Sequence, residues 1–168
     1  DSKAMLLNPN GGGGWKRAAA RYGSKTFNSG AVLDYFYKAT NDNYYDGPQG
    51  FSDRTTTLDG SGNGAIGSNM VAFDGTSSSV NDSFRTIAAG TQTSTAANVT
   101  RTGPHNVSIH WGTTSKFYFD GNLIASNSTN IPSEPLYIFL HQFPQGTDFG
   151  VGYFDNIRVR KYASTEPT

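Results

Sequence analysis

Residues 105–126, HNVSIHWGTTSKFYFDGNLIAS, hold the pattern that decides the fold. Val107, Ile109 and Trp111 fall on one side of an extended chain, and Ser108 and His110 on the other. A strand imposes that period of two because successive side chains leave opposite faces. After a polar break, Phe117 and Phe119 alternate with Tyr118, and Asp120-Gly121 leads into Leu123 and Ile124. Asp-Gly marks a tight hairpin, whose central residues need positive φ. The stretch therefore reads as three antiparallel strands, with Trp111, Phe117 and Phe119 in a core.

Working outward, short β-type runs recur between clusters of Gly, Asn, Pro and Ser. They fall at 4–7, 16–22, 32–39, 50–56, 69–73, 83–89, 106–111, 117–119 with 123–126, 136–142 and 152–162. That spacing predicts an all-β sandwich or barrel. Residues 8–14, NPNGGGG, read as a long hairpin tip because β-type sequence lies on both sides. The one candidate helix, KRAAAR at 16–21, is too short to stand alone. Residues 1–162 form one expected domain, and ASTEPT at 163–168 has the composition of the start of a linker.

The bulk composition excludes several classes of function. Thirteen basic residues balance thirteen acidic ones among 168, so no global field steers the chain toward nucleic acid or an anionic membrane. Only 15% of residues are charged, and no cysteine is present, which leaves neither disulfides nor thiolate metal sites. No apolar run approaches the roughly 20 residues needed to span a bilayer. This composition is common in secreted all-β domains, so an extracellular or cell-surface location is expected. N-x-Ser/Thr sequons begin at Asn81, Asn98, Asn106 and Asn127. Gly62 to Gly67 match the G-x-G-x-x-G pattern of dinucleotide loops, but that loop needs a buried strand before it and a helix after it. Here polar SDRTTTLD precedes and β-type SNMVAFDG follows, so the glycines read as a turn.

The ordered set HNVSIHWGTTSKFYFDGNLIAS, EPLYIFLHQF and YFDNIRVRKY resembles the later strands of concanavalin A-like jelly rolls. It is most similar to laminarinase- and agarase-type glycoside hydrolases, and SKTFNSGAVLDYFYKA resembles an early strand of that fold. The ending FDNIRVRKYASTEPT also resembles uncharacterised concanavalin-like domains of microbial surface proteins. The resemblance implies a β-sandwich of two antiparallel sheets, one curved into a concave face that binds sugar polymers. It also implies a structural calcium on the convex side, with Asp155 as a ligand by position. No other cofactor is required.

Retaining hydrolysis of a glycosidic bond needs two carboxyl groups about 5 Å apart, and enzymes of this fold alternate them along one strand. This chain has two glutamates, Glu134 and Glu166, far apart, and nowhere do two carboxylates stand two residues apart. By the resemblance, Met70 and Ala72 occupy the positions that the enzymes fill with acids, which leaves Asp74 alone. No G-x-S-x-G elbow or H-E-x-x-H helix signals another hydrolase. Near the C-terminus, alternation turns Ile157 and Val159 inward and Arg158 and Arg160 outward, a solvated face rather than a nucleic-acid patch.

Sugars stack their C–H faces on aromatic planes and offer their hydroxyls to polar groups, the chemistry of an apolar pocket with few polar residues. In PLYIFLHQF, Leu136, Ile138 and Leu140 lie on one side, and Tyr137, Phe139, His141 and Phe143 on the other. The resemblance places the second set on the concave face, together with Tyr35 and Tyr37 of VLDYFYK. The opposing reading makes these aromatics a second small core or a contact with a neighbouring domain. His141 is the leading candidate, since imidazole both donates and accepts hydrogen bonds. Two functions follow from these observations: a non-catalytic, lectin-like module holding a polysaccharide or other glycan, or a structural, adhesin or filament-forming sandwich meeting neighbouring domains or subunits.

Overall fold

The computed structural model describes residues 5–7, 18–21, 24–40, 47–54, 67–75, 81–142 and 151–163. Its strands are β1 (Met5–Leu7), β2 (Ala18–Arg21), β3 (Ala31–Ala39), β4 (Gly47–Ser52), β5 (Met70–Gly75) and β6 (Ser83–Ala88). They continue as β7 (Thr91–Ala96), β8 (His105–Trp111), β9 (Ser115–Phe119), β10 (Asn122–Asn127), β11 (Tyr137–Gln142) and β12 (Gly152–Lys161). Two six-stranded sheets result, ordered β1-β12-β3-β8-β9-β10 (sheet A) and β2-β11-β4-β5-β6-β7 (sheet B). Every strand pair within them is antiparallel, so the chain folds as the all-β, concanavalin A-like sandwich expected of it.

Alternation decides which side chains meet between the sheets. Sheet A sends in Leu33, Tyr35 and Tyr37 from β3, Val107, Ile109 and Trp111 from β8, and Phe117 and Phe119 from β9. Sheet B answers with Phe51, Val71, Phe73, Phe84, Ile138 and Leu140. Phe73 of sheet B stacks on Phe117 of sheet A with centroids 4.7 Å apart and planes 7° from parallel. Phe51 meets Trp111 at 5.3 Å, and the indole N–H of Trp111 donates to the Pro132 carbonyl at 3.1 Å. Aromatic pairs of this kind contribute about 0.5–1.5 kcal/mol each beyond area burial.

At the β7–β10 end the sandwich closes through hydroxyls and amides instead. Asn127, 3% exposed, accepts from the Thr95 hydroxyl and donates to the Phe84 carbonyl at 3.2 Å. Thr86 donates to the Thr129 carbonyl at 2.9 Å, and Asn130 to the Thr93 hydroxyl at 2.8 Å. The connection leaving this end toward β8 is clamped by Arg101 and Asp82, whose fully buried side chains approach to 3.3 Å.

This polar seam explains the one described strand that the sequence hides. β7, TQTSTA, carries no apolar alternation, because the residues it turns inward, Thr93 and Thr95, meet polar partners. The other boundaries moved little. β4, expected over 50–56, is the exception: it extends back through Pro48 and Gly47 and ends at Ser52. Near a strand's start a proline loses little by lacking an N–H. The hairpin tip expected at 8–14 and the linker expected at 163–168 lie outside the described residues except for Ala163, as does the glycine turn except for Gly67.

The β9–β10 hairpin forms as its Asp-Gly implies, with φ of 50° at Asp120 and 79° at Gly121. Asp120 also ties the hairpin to β8, accepting from the Asn106 N–H and from His105 Nδ1, each at 2.8 Å. Burial opposes the charge on Asp120, but the hydrogen bonds from His105 and Asn106 and the attraction of His105 outweigh it. They hold the carboxyl below its ordinary value.

Two predictions follow from these contacts. Asn127→Ala strands the Thr95 hydroxyl and the Phe84 carbonyl, and urea unfolding should show a loss of about 1–3 kcal/mol. Exposed Asn98→Ala should change stability by less than about 0.5 kcal/mol. For Asp120, a folded pKa below the unfolded one gives stability that is present above the unfolded value and lost as pH falls through the folded one. Asp120→Asn should therefore flatten the decline in melting temperature between about pH 5 and pH 2.

Candidate functional site

The face of sheet B turned away from the interior is the one that the resemblance makes concave. Register sets its residues in rows across β11, β4, β5, β6 and β7. One row reads Tyr137, Ser52, Met70, Ile87 and Gln92; the next reads Phe139, Gly50, Ala72, Arg85 and Ser94. Asp74 lies opposite Pro48 and Ser83 in a third. An aromatic strand, β11, thus faces a polar side on β6 and β7 across the small residues Gly50 and Ala72.

Tyr137, Phe139 and His141 share this face, as alternation in PLYIFLHQF implies. The Phe139 and His141 rings lie 5.9 Å apart and 25° from parallel. Both are buried, at 4% and 1% exposure, whereas Tyr137 is half-buried. His141 packs so closely on Gly47 that a Cβ there would collide with its ring nitrogen Nδ1. Met70, Ala72 and Ile87, each at most 2% exposed, form a second small core on the same face, so the opposing reading holds for the middle of this face. Phe143 lies outside the described residues.

Tyr35 and Tyr37 do not belong to this face, and that expectation is corrected. β3 runs in sheet A between β12 and β8, and its odd-numbered residues enter the interior. Tyr35 donates its hydroxyl to Gln49 Oε1 of sheet B at 2.9 Å. Tyr37 is fully buried, its ring 5.1 Å from that of Phe154. The Tyr35 hydroxyl makes a polar-looking residue a core one because its partner, Gln49, is itself inside.

The acid–base inventory of the outer sheet B face is short. On β5 the outward positions are Met70, Ala72 and Asp74, since Val71 and Phe73 point into the core. Among the described residues of this face Asp74 is the one carboxylate, and Arg85 Nη2 holds its Oδ2 at 2.8 Å. Arg85 Nε donates in turn to the Ser83 hydroxyl at 3.0 Å. Arg85 was legible in SFRTIA, where Phe84 fixes the inward parity, but a strand rich in polar residues draws no notice.

Asp155 sits where β12 bulges, between the registers of Asp155 and Arg158. Its Oδ1 accepts the Asn156 N–H at 2.7 Å, and Asn156 has a φ of 52°. The side chain therefore caps a local backbone kink. Calcium takes six to eight oxygens, and among the described residues no cluster of three or more His, Cys, Asp or Glu is poised to hold a metal.

No family model matches the sequence, and neither does any curated protein. Solved structures do match the fold. The chain is similar to a structure from work on endo-acting O-glycanases that prominent members of the human gut microbiota express to initiate mucin breakdown. That match has a TM-score of 0.66 at 13% identity, covering 95% of this chain and 80% of the other. It is similar to the Emp46p carbohydrate recognition domain in potassium-bound form, with a TM-score of 0.62 at 9% identity over 96% and 87% of the two chains. Bacillus licheniformis β-glucanase gives 0.59 at 16% identity over 95% and 78%. At such identities the likeness establishes the concanavalin A-like fold.

The packing of His141 can be tested directly. Gly47 has a φ of 66°, so Gly47→Ala combines left-handed backbone strain with displacement of the ring. It should lower stability by more than about 1 kcal/mol, read by denaturant unfolding, and shift the His141 ring resonances.

Proposed function

We propose that the domain is a non-catalytic, lectin-like module of a secreted or surface protein, holding a polysaccharide on the outer face of sheet B. One observation carries the reading. The rings of β11 and the fixed Asp74–Arg85 pair share a sheet face, separated by Gly50 and Ala72. Phe139 and Arg85 stand three strand spacings apart, roughly 14 Å. Aromatic planes on one side and fixed polar groups on the other suit the two surfaces of a sugar ring. The similar solved structures, described as glycan-acting or carbohydrate-recognising, support the same ligand class.

The division of labour differs from the one that alternation alone suggests. Phe139 and His141 are buried, so they shape the floor, while Tyr137 and the partly exposed Arg85 are what a ligand meets first. Non-catalysis rests on the single carboxylate among the described residues of this face, already engaged by a guanidinium, where a retaining mechanism needs two. Binding needs no calcium on this reading, because Asp155 belongs to β12 of sheet A and not to the proposed face of sheet B.

A glycan array followed by calorimetry tests the proposal. The parent should bind at least one polysaccharide, Tyr137→Ala and Arg85→Gln should each weaken it at least fivefold, and EDTA should change nothing. A reducing-end assay should recover the bound polymer undegraded. If no glycan binds, or both folded variants bind as the parent does, the reading fails. Concentration-dependent assembly on size exclusion, seen as filaments by electron microscopy, would then favour the structural role.

A further inference from the structure

A groove of about 830 Å³ lies on the other side of the molecule, on the outer face of sheet A. Its volume falls within the range of small-molecule sites. Register again explains its shape. Arg158, Asp34, Ser108, Tyr118 and Leu123 line up across β12, β3, β8, β9 and β10. Short side chains occupy the middle of that row and long ones its ends, which leaves a trough.

The middle of the trough is a fixed hydrogen-bond network. Ser108 donates its hydroxyl to Asp34 Oδ1 at 2.7 Å, while Asp34 Oδ2 accepts from Arg158 Nε at 3.2 Å and Arg160 Nε at 2.9 Å. With its proton committed to Asp34, Ser108 accepts from His110 Nε2 at 3.0 Å. The His110 ring in turn packs on Tyr118 with centroids 4.6 Å apart. One carboxylate thus sets the positions of two guanidinium groups, and both of its oxygens are used in doing so.

The formal charge of the lining is one-sided: Arg158 and Arg160 against Asp34. The Arg158 side chain is 73% exposed, so its charge is presented to solvent rather than consumed inside. Half-buried Phe36 and Tyr118 add ring surface to the same lining. Guanidinium groups recognise planar carboxylates through paired N–H bonds, and aromatic planes recognise the apolar faces of sugars. A neutral glycan uses only the second feature and a small anion only the first.

We propose that this trough is a second saccharide site, built for an oligosaccharide that carries carboxylates, with a uronate carboxylate at Arg158 and Arg160 and sugar rings along Phe36 and Tyr118. It is separate from the outer face of sheet B and stands whether or not that face binds a glycan. The probe is a galacturonic acid tetramer, with a neutral galactose tetramer as comparison, in an amide-resolved NMR titration. The acidic tetramer should move the resonances of Ser108, Tyr118 and Arg158, and its affinity should fall as salt rises past physiological strength. The neutral tetramer should bind at least fivefold more weakly.

Arg158→Ala is the decisive variant, because so exposed a side chain can be removed without disturbing the core. It should weaken the acidic tetramer at least fivefold while melting as the parent does, and Tyr118→Ala should weaken it as well. No binding of the acidic tetramer, equal binding of the neutral one, shifts confined to sheet B, or an Arg158→Ala protein that binds undiminished would each overturn the proposal.

Discussion

The stack of Phe73 on Phe117 is the contact on which the rest of the structure depends. It joins a central strand of one sheet to the other, with Phe84 completing the contact at 6.0 Å from Phe117. Because side chains alternate with a period of two, fixing Phe73 inward fixes Met70, Ala72 and Asp74 outward; fixing Phe117 inward does the same for Lys116 and Tyr118. A slip of one residue would reverse every face. The outer surfaces are therefore consequences of the interior, and their chemistry is set by which residues the apolar positions leave over.

What is left over differs between the sheets. Sheet B turns out rings, small residues and one guanidinium–carboxylate pair, while sheet A turns out a carboxylate with two guanidinium groups and a histidine–serine chain. The interior also changes character along its length. Aromatic rings fill the middle, whereas the β7–β10 end is held by threonine hydroxyls and by Asn127. That residue heads one of the four sequons, yet it is 3% exposed and bonded to the opposite sheet. Glycosylation there is incompatible with the folded seam, while Asn81, Asn98 and Asn106 are exposed.

Strands with an apolar alternation were legible in the sequence: β8 and β9 to their faces, and β11 to both of its sides. β7 was not, because its inward residues are threonines whose partners lie more than thirty residues away in the chain. Assigning strands to sheets was harder still. The alternation of β3 was read correctly, with Tyr35 and Tyr37 opposite Phe36, but nothing local says which side of a strand faces the core when both sides carry aromatic rings. Pairing with β8 settles it, since Tyr35 shares a face with Val107 and Phe36 with Asn106. The Asp34 network was hidden for the same reason: Asp34, Ser108, Arg158 and Arg160 come from three separate strands, and only register brings them together.

The balance of thirteen basic and thirteen acidic residues argues against long-range steering of the whole molecule. It says nothing about fields a few ångströms across. Within a Debye length of about 8 Å at physiological salt, a ligand meets only nearby side chains. On sheet A those include Arg158 and Arg160 around Asp34, with Asp155 on the neighbouring pair of β12 with β3, and on sheet B the described pair is Arg85 with Asp74. The uncharged sugars proposed for one face and the acidic ones proposed for the other thus turn on which side chains strand register brings together, to which composition is blind.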